Sequence, residues 1–295
     1  MRRCVFTCAL PHRATEAAES DGALLFPYWS FTKTVIAICA LRLAERGRIR
    51  LDEPVRGHPF TLRQLLNHTS GLPDYGRLCS YNQAVQNDEE PWPRAVLLQA
   101  TMEQGMLFAP GCGWAYSNVG YMMVRELIEE AAGRSLSELV SSMISRRLGL
   151  KSLQLATTRQ QFSQVYWEAA QRYHPGWVYH GCLIGTAREA TLLLHALFDG
   201  QLLSASSLQQ MLIRVPVGGA IDGRPWTDCG YGLGLMTGTM GMAGRAMGHS
   251  GGGPFSVNAV YHFPDRPVPV TVASFTDGRD EGPAERLAVK DSKAQ

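Results

Sequence analysis

The stretch Pro27-Tyr28-Trp29-Ser30-Phe31-Thr32-Lys33-Thr34-Val35-Ile36-Ala37-Ile38-Cys39-Ala40-Leu41-Arg42-Leu43-Ala44 decides how the rest of the chain is read. From Phe31 to Ala44 it is mostly apolar, with Lys33 and Arg42 as its charges, so it reads as a buried helix. Ser30 stands at the expected N-cap and Gly47 at the expected stop. Ser30 and Lys33 are three residues apart and share one face of the first turn. No acid lies between Asp21 and Glu45. A lysine buried there should have its pKa lowered and could take a proton from the serine hydroxyl. The competing reading is a capping serine followed by a snorkelling lysine.

At 295 residues, 45% hydrophobic and 18% charged, the chain can bury a full globular core. Its net charge of +2 gives no reason to expect a nucleic-acid partner. Four of its 28 basic residues are Lys. The seven cysteines, at 4, 8, 39, 79, 112, 182 and 229, are scattered and odd in number. They form no Cys-x-x-Cys and no Cys/His cluster at metal spacing, so reduced thiols and neither metal nor cofactor are expected. No apolar run is long enough to span a membrane. The apolar stretch after Arg2-Arg3 is at the short limit for an export signal and ends in Pro11-His12-Arg13, so a cytoplasmic location is expected. Oligomeric state is not legible.

Outward from the helix, residues 3–10 read as a strand and 11–22 as a polar connection. Thr61–Leu72 reads as a short capped helix, 73–91 as polar loop and 93–104 as helix. Tyr116-Ser117-Asn118 precedes an amphipathic helix ending at Gly133. Ser135–Leu148 is a further helix with Ser135 and Glu138 at capping-box spacing. Residues 150–180 are mixed. Thr186 and Glu189 open a helix that Gly200 ends, and Ser204–Ile213 forms another. Beyond Gly230 the period becomes two, with strands expected over 231–236, 245–249, 256–262 and 268–276 and a hairpin turn at Asp265-Arg266-Pro267. A helix is expected over 281–295. Strands at both ends and helices between them predict an α+β fold: an antiparallel sheet flanked by helices, with an inserted all-helical lobe. The expected organisation is a single domain over 1–295, with an α/β lobe (1–57 plus 180–295) and a helical lobe (58–179).

Acyl transfer needs a nucleophile, a base, an oxyanion hole and a substrate-orienting group. Ser30 is the candidate nucleophile, with Lys33 and Tyr116 as the proton-moving pair, the phenol losing its proton beside the ammonium. Asn118 can bind the substrate amide or hold Lys33. His249-Ser250-Gly251-Gly252 reads as a strand whose glycines allow close approach to the acyl group. The N–H groups of Ser30 and Gly252 are the candidate oxyanion donors.

The ordered set Ser30-x-x-Lys33, Leu65-Leu66-Asn67-His68-Thr69-Ser70-Gly71-Leu72, Ala109-Pro110-Gly111, Tyr116-Ser117-Asn118-Val119-Gly120-Tyr121, Gly185-Thr186-Ala187 and His249-Ser250-Gly251 resembles the serine β-lactamase and penicillin-binding protein superfamily. It is similar to the class C-like branch of β-lactamases, D-alanyl-D-alanine carboxypeptidases and esterases, over residues 24–276. The resemblance implies a β-lactamase/transpeptidase-like fold and a serine hydrolase with an acyl-serine intermediate on a small ester, amide or β-lactam. The alternative is a non-catalytic sensor or binding module on the same fold. Two departures stand out. The family has two or more sheet strands before the nucleophile helix, so the N-terminal strands are expected to be reduced. His249 stands where many members have Lys; as an imidazolium it could bind a substrate carboxylate, and it favours an esterase or amidase over a β-lactamase.

Three further features have plainer readings. Gly248-His249-Ser250-Gly251-Gly252 also satisfies Gly-x-Ser-x-Gly, but no acid followed by histidine comes after Ser250 at the spacing that elbow needs. His68 is expected to be a structural hydrogen-bonder, and His180 and the remaining histidines surface or core. Arg245 is expected to be a strand surface charge.

Overall fold

The computed structural model describes residues 5–10 and 23–293. The polar connection expected over 11–22 lies outside the described residues, as do positions 3, 4, 294 and 295. The strands are β1 Val5–Leu10, β2 Phe26–Pro27, β3 Gln154–Ala156, β4 Cys182–Gly185, β5 Val215–Gly218, β6 Asp228–Tyr231, β7 Met236–Thr239, β8 Arg245–Gly252, β9 Ser256–Phe263 and β10 Val270–Asp277. The helices are α1 Phe31–Glu45, α2 Leu62–Leu66, α3 Cys79–Gln86, α4 Arg94–Met102, α5 Asn118–Ala132, α6 Leu136–Val140, α7 Arg146–Leu148, α8 Arg159–Phe162, α9 Ala187–Phe198, α10 Ala205–Leu212 and α11 Glu281–Asp291.

Seven strands form one antiparallel sheet in the order β1-β10-β9-β8-β7-β6-β5, so the two ends of the chain meet in it. The α+β class therefore holds. Among the described residues one strand of this sheet, β1, precedes α1, and it forms the sheet edge against β10. Residues 57–180 carry α2 to α8 and the short β3.

Alternation along β9 and β10 sends side chains to two buried faces. Val257, Ala259, Tyr261 and Phe263 pack with Val270 and Val272 against Ala284 and Ala288 of α11. Val260, Ala273 and Phe275 join the larger core around α1 and α9. With every residue of β9 buried, the sheet is the middle layer of three. Helix α1 is buried along almost its whole length, as its composition demands.

The α11 side holds a buried ion pair. Glu285 has no exposed surface; it accepts from Arg224 Nε at 2.8 Å, from Trp226 Nε1 at 3.0 Å and from Ser250 Oγ at 2.6 Å. Ser250 thus faces away from α1, which removes the Gly-x-Ser-x-Gly elbow as a nucleophile site. Arg245 pairs with Asp265 at 2.7 Å across the hairpin, the plain surface role expected of it.

Several local expectations fail for identifiable reasons. The loop expected over 73–91 contains a tight turn at Tyr75–Arg77 and then α3, whose exposed polar surface hid its period. The strand expected over 231–236 is a bend between β6 and β7. Gly232-Leu233-Gly234-Leu235 alternates like a strand, but Gly234 is left-handed at φ 80. Its N–H donates to Leu66 O at 3.2 Å, and its carbonyl accepts from Thr34 Oγ1 at 2.6 Å, so the bend is tied to α1 instead of to a neighbour strand. The three-stranded sheet β2-β4-β3 was too short to read. The Ser135–Glu138 capping box is present, and a π-helical turn at Ser141–Ser145 continues α6 into α7. Among the described residues no helix is long and apolar enough to cross a membrane.

Candidate active site

The turn into α1 explains why the Ser30 hydroxyl is free. Ser30 occupies the N-cap position but has helical dihedrals and makes no capping bond, contrary to the capping role its position suggests. The N–H groups of Phe31, Thr32 and Lys33 donate instead to the carbonyls of Tyr28, Trp29 and Ser30, at 2.8, 3.1 and 2.9 Å. With those donors satisfied by backbone, the side chain can face the cleft. The tight turn puts Trp29 in the left-handed region at φ 43, a costly conformation for an aromatic residue. Its indole is clamped against Phe162, Tyr173 and Phe255, and Nε1 donates to Ser256 Oγ at 3.0 Å.

Three distant segments meet at Ser30. Lys33 Nζ lies 3.0 Å from Ser30 Oγ, and the Tyr116 hydroxyl donates to the same oxygen at 2.8 Å. Lys33 also donates to Asn118 Oδ1 at 2.7 Å and lies 3.2 Å from His180 Nε2. Asp74 fixes Asn118 by accepting from its backbone N–H at 2.9 Å and from its amide Nδ2 at 3.2 Å. Of the two readings open for Asn118, this geometry favours holding Lys33.

Lys33 has no exposed surface, and burial lowers its pKa to about 7, with the Asp74 carboxylate opposing the shift. A large fraction is therefore the free amine at neutral pH. Tyr116 moves the other way: loss of water raises its phenol well above the usual range, partly offset by the bond to Ser30. The expected tyrosinate is not what these surroundings favour, and Tyr116 is a hydroxyl donor beside a neutral amine.

The strand carrying residues 249–252 runs alongside. A Cβ on Gly251 would stand 2.8 Å from Ser30 N, Trp29 Cβ and Tyr28 O, so only glycine lets β8 lie this close. Gly252 and Ser30 line one cleft of about 370 Å³. His249 does not take the role expected of it. It is 2% exposed, its Nε2 is 2.8 Å from the Tyr231 hydroxyl, and its Nδ1 contacts the carbonyl of Ser250. Burial, reinforced by Lys33, lowers its pKa to about 3, so it is neutral and offers no imidazolium to a carboxylate. An imidazolium at this position would have made activity on anionic substrates fall through pH 6–7; no such dependence is expected of a buried, neutral His249.

His68 is structural, as expected: its Nδ1 accepts from Ser117 N at 3.2 Å and its ring packs 4.4 Å from that of Tyr116. His180, Asp74 and Glu281 were not singled out from the sequence. His180 stands in no motif spacing, and Asp74 falls in the supposed loop. Burial and the nearby Lys33 charge keep His180 neutral, able to accept a proton from Lys33 in a hydrogen bond. Among the described residues no His, Cys, Asp and Glu cluster could hold a metal ion.

Comparison with known proteins agrees with this architecture. The sequence model of a family described as Beta-lactamase matches residues 12–294. Penicillin-binding protein 4* of Bacillus subtilis (strain 168) is 31% identical over 179 residues, covering 56% of this chain and 37% of that protein. Esterase EstB of Burkholderia gladioli is 29% identical over 147 residues, covering 43% of this chain and 37% of that protein. The chain thus matches little more than a third of the length of either relative. A D-stereospecific amidohydrolase from Streptomyces sp. superposes with a TM-score of 0.76 at 25% identity, covering 92% of this chain and 86% of that one.

Proposed function

The chain belongs to the β-lactamase family, and on that premise we propose that it is a serine hydrolase cleaving a small ester or amide through an acyl-Ser30 intermediate. The observation that carries this reading is the Ser30 hydroxyl held at 3.0 Å from a buried amine whose pKa is lowered to about 7. Neutral Lys33 takes the Ser30 proton as Oγ bonds to the carbonyl carbon. The oxyanion then accepts from the N–H groups of Ser30 and Gly252, which both line the cleft. As the tetrahedral adduct collapses, the Tyr116 hydroxyl gives its proton to the departing nitrogen or oxygen, and the lysine ammonium replaces that proton. Water repeats the sequence on the acyl-enzyme with the same pair, releasing the acid and restoring Ser30.

The relatives named an esterase, a penicillin-binding protein and an amidohydrolase bracket this chemistry. With His249 buried and neutral, strand β8 itself supplies no cation for a β-lactam carboxylate, which favours ester and amide substrates. The non-catalytic alternative has no support in a site whose nucleophile, base and hydroxyl donor are all in contact. A panel of short p-nitrophenyl esters, amino-acid amides and nitrocefin, run on wild type and Ser30→Ala, tests the proposal. Ester or amide turnover lost by at least ~10³-fold in Ser30→Ala is expected. Turnover that survives the substitution overturns it.

A further inference from the structure

Glu281 opens α11 and lines the same cleft as Ser30 and Gly252. Its carboxylate lies close to the strand: a Cβ on Gly252 would stand 3.2 Å from Glu281 Oε1. Among the described residues no Lys, Arg or His lies within ion-pair distance of it, in contrast to the nine pairs found elsewhere. Burial is the main cause of the raised Tyr116 pKa, with Asp74 and then Glu281 adding to it; Arg224, the nearby cation that opposes them, is already paired with Glu285. Arg279 is the other side chain on this cleft with a fixed charge; it is exposed, and its Nε donates to Pro254 O at 2.7 Å. Lys33 is engaged by Ser30 and Asn118, and His249 is buried against the Tyr231 hydroxyl, so neither pairs with Glu281. Tyr75, Tyr81, Tyr173 and Trp177 supply aromatic wall. A half-buried carboxylate beside the acyl-binding strand, in a cleft that aromatic rings also line, suits a cation.

We propose that Glu281 reads a positively charged group next to the scissile carbonyl, so that the cleft selects α-amino acyl substrates with a free ammonium and an apolar side chain, and disfavours acidic ones. This rests on the hydrolase reading above and names its substrate class. It reverses the expectation from His249: the cleft reads a cation where a carboxylate site was anticipated.

The test compares the p-nitroanilides of phenylalanine, in both enantiomers, with that of 3-phenylpropionic acid, which differs by the amino group alone. Wild type should favour the ammonium substrate in kcat/KM by at least ~10-fold, and Glu281→Gln should reduce that ratio about tenfold. In parallel, phenylalanine amide and 3-phenylpropionamide are titrated into Ser30→Ala and Ser30→Ala/Glu281→Gln, read by tryptophan fluorescence. Preference for the amine in the first protein and not the second supports the inference even if no anilide is cleaved, an outcome that would sink the hydrolase reading alone. Equal binding of both amides, or a preference unchanged by Glu281→Gln, overturns it.

Discussion

Lys33→Met should lose about 10³-fold in kcat/KM while gaining stability at acid and neutral pH. The activity loss follows from removing the base that contacts Ser30 Oγ at 3.0 Å. The stability gain follows from linkage. Folding lowers the Lys33 pKa from 10.5 to about 7, so between those values the unfolded chain binds more protons than the folded one. Stability therefore rises with pH across that window; the cost of burial is full below about pH 7 and gone above about 10.5. At ~1.4 kcal/mol per pH unit that cost approaches 5 kcal/mol. Methionine removes it but leaves Asn118 Oδ1 and His180 Nε2 without their donor, which returns about 1–3 kcal/mol. A net gain in stability is expected at pH 6, vanishing or reversing near pH 10. Urea unfolding at the two pH values measures it. The companion kinetic result is a wild-type kcat/KM that rises with pH through about 7, on neutral esters as well as amides. A variant less stable at pH 6, or a wild-type profile flat from pH 5 to 9, would contradict the assignment.

The second large effect is steric. Gly251→Val would put side-chain atoms where Ser30 N, Trp29 Cβ and Tyr28 O already stand. These are backbone or near-backbone atoms, so they cannot rotate away. Either β8 or the left-handed turn at Trp29 must move by an ångström or more, separating the 249–252 strand from the nucleophile. Misplacement on that scale costs about 10²-fold in rate. Strain of about 1–3 kcal/mol should lower the thermal midpoint as well. The clash is particular to Gly251: a Cβ on Gly252 would meet the Glu281 side chain at 3.2 Å and Val257 Cγ1 at 3.6 Å, and not the backbone of the turn. A Gly251→Val protein with wild-type rate would show that β8 does not set the shape of the site.

The parts of this site that depend on local pattern were legible. Ser30 and Lys33 share a helix turn by spacing, α1 is buried because it is apolar all round, and the two-residue period of 256–262 marks central strands. What could not be read depends on long-range burial. The sequence does not say that His249 is sealed under Tyr231 and held neutral, nor that Tyr116 loses the water that would stabilise a phenolate. His180 and Asp74 reach the site through segments without regular period, so nothing local marked them. Gly232-Leu233-Gly234-Leu235 misled because alternation is shared by strands and by glycine-hinged bends; the tie from Gly234 to Leu66 and Thr34 is tertiary.

The most direct test of the central claim is peptide mapping of the intact protein after treatment with a fluorophosphonate probe at pH 6 and pH 8. A single adduct, on Ser30, is expected, forming faster at pH 8 as Lys33 becomes the free amine. An adduct on another serine, or none at either pH, would contradict it.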